Sequence, residues 1–411
     1  MRMMRREFVE AALSAGVGAA GVGVGAIEMG WPVGAAATRR KLGGEIRPPD
    51  EKFLATLPKL MEIAQLPGIG IGVVQGGKLA WTHYEGFANA DAKTRITAES
   101  VFPAASLGKQ VFAYLALGLV DEGKLELDKP LRDYVKEDAP TGPLGEKITA
   151  RHVLSHSSGL RNWRWDRGQE FVPAFEPGTK FRYSGEGFYY LMRCVERITG
   201  TGFEALVQER VLKPMGMNSS TYLWQAQDEG RWVAGHDRGS PENNTEARRK
   251  LFATIEKSGV PLAQWNHDRI GAELARQQNQ KEAPLPDNMV PNAAASLLTT
   301  VADYATFLSH VAWPKGTAPE IKLPMCAAMM KPQVRINQEL AWGLGWGIQD
   351  DEGERHLWQW GDNGAWKNFV MVHPESGSAI VVFTNGDTGM RVAERVIRAA
   401  TQREQAAFLW V

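Results

Sequence analysis

The sequence predicts an α+β fold in which both ends of the chain build one antiparallel sheet and a helical region is inserted between them. Three observations predict it. The early stretch "GIGIGVVQGGKLAWTHYEGFA" reads as two strands joined by Gly76-Gly77, a hairpin signal. Near the other end, "NFVMVHPESGSAIVVFTN" reads as a second hairpin around Pro374 to Gly377. Between the two, the apolar spacing is mostly helical, and strands early, helices in the middle and strands late give α+β layering.

Taken in order, residues 1–37 differ from the rest. Basic residues come first, Arg5-Arg6 precede Glu7-Phe8-Val9, and a weakly apolar Ala/Gly/Val run leads to Ala35-Ala36-Ala37. This is the pattern of a twin-arginine export signal, so the expected location is periplasmic or secreted. Its glycines and Glu28 make a poor membrane span, and none is expected after signal removal. Gly16-x-Gly18-x-x-Gly21 matches a dinucleotide fingerprint in form, but no strand precedes it and composition alone generates it. The polar lead-in "GGEIRPPD" then opens one domain over residues 50–390, extended by a C-terminal helix over 390–411.

Within that domain, Leu107, Val111, Leu115 and Leu119 recur every fourth residue and Gly123 comes after them, which predicts an amphipathic helix. A second helix is predicted from Glu186 to Ile198 and another over "FEALVQERVLKPMGM". Composition excludes several classes of function. Of 411 residues, 44% are hydrophobic and 23% charged, with 47 basic against 47 acidic side chains, so no net field draws nucleic acid or an anionic membrane. Cys194 and Cys326 have no metal-like spacing and read as free, buried thiols.

The chemistry sits in the first turn of the helix after Ser106. G-x-S-x-G, H-E-x-x-H and a Walker loop are absent, and His152 and His156, four apart, lack an intervening acid and a third ligand, so no metal or cofactor is expected. Ser106 and Lys109, three residues apart, share one helix face. A serine hydroxyl becomes nucleophilic when a base takes its proton, and a lysine serves as that base once burial or nearby positive charge lowers its pKa from about 10.4. A helix N-terminus also directs backbone N–H groups at a carbonyl under attack, so the Ser106 N–H suits half of an oxyanion hole. The competing assignment for Ser106-x-x-Lys109 is a helix cap beside a solvated lysine.

Seven ordered segments carry a wider resemblance: "LPGIGIGVVQGGKLAW", "FPAASLGKQ", "ITARHVLSHSSGL", "EPGTKFRYSGEGFYYL", "VLKPMGMNSS", "LLTTVADYATFL" and "WQWGDNGAWKNFVM". From about Leu66 to Asp387 the chain resembles the serine β-lactamase and penicillin-binding-protein superfamily, in its class C-related branch with family VIII esterases and D-amino-acid peptidases. The resemblance implies a β-lactamase/transpeptidase-like fold, with a five-stranded antiparallel sheet flanked by helices and an active site between sheet and helical region. It implies that Ser106 is the acylated nucleophile, Lys109 its partner, and Tyr183, in "RYSG", the proton-shuttling tyrosine of a Y-x-N motif. The third box, K-T-G or H-x-G in the family, aligns with Gln359-Trp360-Gly361; Asp362 then supplies the second oxyanion N–H, Gly361 admits substrate close to the strand, and Trp360 lines the pocket.

Two positions depart from the family pattern. Gly185 replaces the asparagine of Y-x-N, and neutral Gln359 replaces the cation that helps hold a substrate carboxylate. Both count as substrate-binding positions, and the missing charge favours neutral esters or amides. His156 and Gly159 match a segment read as structural, and Trp342, Trp346, Trp358 and Trp366 read as core. The expected function is an exported serine hydrolase acting through an acyl-enzyme on Ser106, on a small-molecule ester, β-lactam or peptide-like substrate. The alternatives are a D-amino peptidase or D,D-carboxypeptidase, and a catalytically weak penicillin-binding or cell-wall-binding protein. The residues leave the oligomeric state open.

Overall fold

Alternating glycines in "GIGIG" decide how the sheet is covered. Strand β1 (Gly68–Gln75) turns Ile69, Ile71 and Val73 to one face and Gly70 and Gly72 to the other. A Cβ at Gly70 or Gly72 would lie 2.8 or 2.7 Å from the Val301 methyls, so the glycine face is where a helix lies directly on the strand. This computed structural model describes residues 44–164, 169–237, 240–242, 245–279, 290–312, 323–351 and 353–411. The expected export signal and the Gly16 to Gly21 match lie outside the described residues.

The predicted early hairpin joins β1 to β2 (Lys78–Asn89), with Gly76 and Gly77 both at positive φ (56° and 71°) as a two-residue hairpin turn requires. Beyond β2 lies a two-residue edge strand, β3 (Thr94–Arg95). Strand β4 (Phe102–Ala105) leaves this sheet, β5 (Gly235–Asp237) and β6 (Ser240–Glu242) pair with each other, and β7 (Leu297–Thr299) pairs with β4. The late chain supplies β8 (Val334–Arg335), β9 (Leu340–Trp342), β10 (Gly347–Asp351), β11 (Glu354–Asp362), β12 (Lys367–His373) and β13 (Ser378–Thr384). Antiparallel pairing of β1 with β13, Gly72 opposite Val381, closes the two chain ends into one sheet. Its order is β3-β2-β1-β13-β12-β11-β10-β9-β8, so the five strands implied by the resemblance are its long centre, and four short strands extend it.

Six helices cover the sheet or frame the site: α1 (Glu51–Ala64), α2 (Gly108–Asp121), α3 (Gly185–Thr199), α4 (Val301–Ala312), α5 (Gly389–Thr401) and α6 (Ala406–Trp410). Helix α4 covers the glycine face of β1, while α1 and α5 share the opposite core with Ile69, Ile71 and Val73. Helix α1 has no counterpart among the predicted elements. Its N-cap Asp50 accepts from the Phe53 N–H at 2.7 Å and its Leu57 and Met61 are buried, but Pro58 in its middle masks the helical pattern. Helix α2 is not amphipathic as expected: every residue from Gly108 to Leu119 is buried, because it runs between the sheet and the inserted helices. The stretch from Phe203 to Met215 is helical but passes through a π turn at Gln208–Leu212. The expected C-terminal helix is broken in two where Gln402 takes a left-handed conformation (φ 56°). Cys194 and Cys326 are free and buried, and Trp342, Trp346, Trp358 and Trp366 are core, as expected. Among the described residues no helix is long and apolar enough to cross a membrane.

Strand β11 crosses β4 at Gly361, where an added Cβ would stand 2.5 Å from the Ala104 carbonyl oxygen. A backbone oxygen cannot swing aside as a side chain can, so this crossing sets the spacing between the two strands. Gly361→Ala should therefore destabilise the protein by about 1–3 kcal/mol, the usual cost of overpacking. Urea unfolding monitored by circular dichroism tests this, and an unchanged midpoint would mean that the strands separate without penalty.

Candidate active site

The segment from β4 into α2 holds Ser106 in a tight corner. Ala105 just before it is fully buried at φ 53°, a left-handed conformation that costs a non-glycine residue energy and marks local strain. Leu107, not Ser106, occupies the N-cap of α2 and makes no side-chain cap bond. The Ser106 hydroxyl is thereby left for Lys109, whose Nζ lies 2.9 Å from Oγ and donates to the Ala294 carbonyl at 2.7 Å. Lys109 is 1% exposed, and burial alone holds its pKa well below the usual lysine value. A neutral amine has two hydrogens and one lone pair, which suits a carbonyl acceptor on one side and a hydroxyl hydrogen on the other.

Neighbouring groups pin this first turn. Tyr222 Oη donates to the Gly108 carbonyl at 2.6 Å, Tyr304 Oη to the Leu107 carbonyl at 3.0 Å, and Gln110 Nε2 to the Gly345 carbonyl at 2.7 Å. Tyr222 is itself held by its N–H on the buried Glu204 carboxylate at 2.7 Å. The Ala294 carbonyl is fixed because Asn292 Oδ1 accepts from both the Ala294 and the Ala295 N–H at 2.9 Å. Asn292, Ala294 and Glu204 are invisible to sequence reasoning, since "PNAAA" and a helical glutamate carry no chemical signal of their own.

Tyr183 meets this pair from the segment leading into α3. Its Oη accepts from Gln359 Nε2 at 3.0 Å, and the same amide donates to the Ser106 carbonyl at 3.4 Å. Burial pushes the Tyr183 pKa above its ordinary value, while the Ser106 hydroxyl and the Gln359 amide pull the other way. The ring is sandwiched between His156 (centroids 4.1 Å apart) and Trp360 (4.5 Å). His156 therefore supports Tyr183 by packing. Its Nδ1 accepts from the Ser184 N–H at 3.1 Å, and burial, with Lys109 nearby, holds its pKa well below the usual histidine value. His152 instead caps its own short helix with Thr149, so the two histidines do not converge.

The third box comes from β11. Gln359 is fully buried, and its amide bridges Tyr183 Oη and the Ser106 carbonyl. Gly361 abuts the Ala104 carbonyl, which corrects the expectation that it admits substrate: the space beside it belongs to β4. The Asn363 N–H donates to the Trp366 carbonyl at 3.1 Å, and the alternation of an antiparallel ladder then turns the Trp360 and Asp362 N–H groups away from β12. On that side β10 has already ended opposite Trp358, so among the described residues no strand pairs with this edge of Trp360 and Asp362. Trp360 lines a cavity of about 310 Å³ with Asp362, Lys367, Asp387, Met390 and Arg391 that includes none of Ser106, Lys109 and Tyr183, and its ring also packs on Trp410 of α6 at 5.3 Å. Gly185, first residue of α3, is buried, and a Cβ there would collide with the Trp163 ring at 2.5 Å.

A sequence model of the beta-lactamase family matches residues 53–404. The chain belongs to the beta-lactamase family. Among curated proteins it is similar to penicillin-binding protein 4 of Amycolatopsis lactamdurans, 25% identical over 348 residues, 78% of this chain and 81% of that one. It is also similar to esterase EstB of Burkholderia gladioli, 27% identical over 217 residues; that match covers 46% of this chain and about half (55%) of the esterase. Among solved structures, a class C beta-lactamase mutant superposes with a TM-score of 0.63 at 17% identity, covering 85% of this chain and 97% of that one. The beta-lactamase fold is therefore present over the domain that carries Ser106, Lys109, Tyr183 and Gln359.

Proposed function

We propose that this chain is an exported serine hydrolase that forms an acyl-enzyme on Ser106 and prefers neutral esters to β-lactams and peptides. The observation that carries this reading is the buried Lys109 amine 2.9 Å from Ser106 Oγ. The amine lone pair takes the hydroxyl proton as Oγ attacks the substrate carbonyl, and the tetrahedral oxyanion is met by the Ser106 and Asp362 N–H groups. Tyr183 acts as acid. Turning the Gln359 amide over would set its oxygen against the Ser106 carbonyl, so Nε2 faces Tyr183 and the phenol's own hydrogen is directed elsewhere, toward the reacting oxygens. That hydrogen passes to the leaving alkoxide and is replaced from the protonated Lys109; water then attacks the acyl-enzyme with the same groups in reverse.

Three features support the preference for neutral esters. Gln359 carries no charge for a carboxylate, Gly185 offers no amide to an acylamino group, and an esterase stands among the relatives. Export is supported by Arg5-Arg6 and the Ala-rich end at residue 37.

Ser106→Ala should abolish both turnover and fluorophosphonate labelling, whereas Lys109→Ala and Tyr183→Phe should each lower kcat/KM by about 10²-fold to 10⁴-fold, non-additively. Because burial keeps Lys109 neutral well below the usual lysine pKa, activity should reach its plateau without strongly alkaline pH and fall as acid protonates the amine. Labelling that survives in Ser106→Ala would reject the nucleophile. For selectivity, the natural sequence should hydrolyse a p-nitrophenyl ester faster than a chromogenic cephalosporin. Gln359→Lys should improve the cephalosporin alone by roughly 10-fold to 150-fold, the value of one charge-assisted hydrogen bond. Equal gains on both substrates would remove the argument from charge. Finally, Arg5→Lys with Arg6→Lys should leave precursor in the cytoplasm, read by cell fractionation; mature exported protein from that double variant would exclude the twin-arginine route.

A further inference from the structure

The hydrogen bond from Gln359 to Tyr183 joins strand β11 to the segment leading into α3, and a second bridge spans the same gap. Trp410 of α6 sets its ring edge-on to Phe181 (centroids 5.3 Å apart, planes at 74°) on one side. On the other side it meets Trp358 (5.7 Å, 67°) and Trp360 (5.3 Å, 81°). Phe181 comes two residues before Tyr183, while Trp360 follows Gln359 and packs on the Tyr183 ring at 4.5 Å. One indole therefore touches the chain neighbours of both partners in that hydrogen bond. Helix α6 is fastened where it can hold this ring. The buried Gln349 of β10 accepts the Ala407 N–H on Oε1 at 3.1 Å and donates from Nε2 to Gln405 Oε1 at 2.9 Å. Gln405, also buried, donates in turn to Thr401 Oγ1 at 3.0 Å, and Phe408 stacks on Phe369 of β12 at 4.1 Å. Buried amides are costly to leave unpaired, so this pair fixes where α6 lies. The beta-lactamase family model matches residues up to 404, so Trp410 reaches the site from outside the matched residues.

We propose that Trp410 is a positioning residue for Tyr183: it clamps β11 to the Tyr183 segment so that the phenol hydrogen reaches the leaving oxygen of an ester. The inference rests on the reading of Tyr183 as the acid in acyl transfer to Ser106 and adds a residue to it. Edge-on aromatic pairs are directional, and removing this one ring loosens both sides of the gap at once. What then spans it is the Gln359 bond and the Trp360 contact, whose lengths the clamp no longer imposes. A misplacement of about 1 Å at a group that must meet a reacting atom costs on the order of 10²-fold in rate. The loss depends on the leaving group. As the bond between acyl carbon and alkoxide oxygen breaks, its electron pair stays on that oxygen, the Tyr183 proton moves to it, and the protonated Lys109 returns a proton to the phenolate. An alkoxide needs that proton in order to leave. A p-nitrophenolate is a stable anion and departs without it, so Trp410 governs alkyl esters and has little effect on activated aryl esters.

The test compares kcat/KM for ethyl butyrate and p-nitrophenyl butyrate, which share one acyl group and differ in the leaving group. Their ratio is internal to each preparation, so partial unfolding of a variant cancels from it. In Trp410→Ala the ratio of ethyl to p-nitrophenyl ester should fall by about 10-fold or more, and Trp410→Phe should recover most of it. Leu409→Ala, at an exposed position on the same helix, should leave the ratio unchanged. In a Tyr183→Phe background, where the acid is gone, adding Trp410→Ala should move the ratio by less than about twofold. Fluorophosphonate labelling reports the nucleophile separately. Absence of labelling in the unsubstituted protein would overturn the hydrolase reading, and a ratio unmoved by Tyr183→Phe itself would overturn the acid; either takes this inference with it. With labelling intact and the ratio sensitive to Tyr183→Phe, three results would overturn the Trp410 assignment alone: an unchanged ratio in Trp410→Ala, an equal loss on both esters, or a full effect of Trp410→Ala in the Tyr183→Phe background.

Discussion

A lysine amine held out of water is the constraint on which the rest of the site depends. Charged, the Lys109 ammonium would forfeit several kcal/mol of hydration on a helix with no exposed face; neutral, it needs a few well-placed polar partners. It has two in Ser106 Oγ and the Ala294 carbonyl, and each is immobilised by a different part of the chain. Ala105 is forced to positive φ to turn Ser106 back over the helix, and Asn292 grips two N–H groups to aim one carbonyl. Tyr222 and Tyr304 tie down the carbonyls of the same turn from two further segments. The strain at Ala105 and the desolvated amine both work against stability, and the surrounding core of α2 is what retains them.

Around this dyad, the site is less polar than its family pattern at two points. Gln359 gives Tyr183 a hydrogen-bond donor without a charge, and its own Oε1 is buried without a partner among the described residues. A neutral donor orients the phenol but does little to ionise it, which agrees with burial being the main influence on Tyr183. Next to it, glycine at 185 and the indole of Trp163 form a complementary pair, small against large, as close packing demands. Aromatic contacts continue outward through His156, Trp360 and Trp410, so the tyrosine is held by rings as well as by hydrogen bonds.

The fold is legible in the sequence where local chemistry and tertiary packing agree. Gly76-Gly77 can close a two-residue hairpin in any context that supplies strands, and the early and late hairpins do form one sheet. Legibility fails where packing overrides pattern. Helix α2 has an apolar repeat of an ordinary surface helix, yet even Lys109 and Gln110 are buried, because elements on all sides supply their partners. Helix α1 is hidden by Pro58, and the C-terminal helix looks continuous because no proline or glycine marks the left-handed turn at Gln402.

For the site, the sequence by itself determined the identity of the candidate groups and their grouping along the chain: Ser106 one helical turn from Lys109, Tyr183 ahead of a helix, and a strand box at Gln359 to Gly361. Spacing within one element fixes which side chains share a face, so that part needs no fold. Only the tertiary structure decided the electrostatics and the shape. Ala294, 185 residues from Lys109, is what completes the amine's hydrogen bonding, and Gln359, 176 residues from Tyr183, is what orients the phenol. In the sequence Gly361 suggests room for substrate, but β4 fills that room; Gly185 suggests a missing contact, but Trp163 fills the gap. A glycine in a sequence shows only that a side chain is absent, and what takes its place depends on which distant segment the fold brings against it.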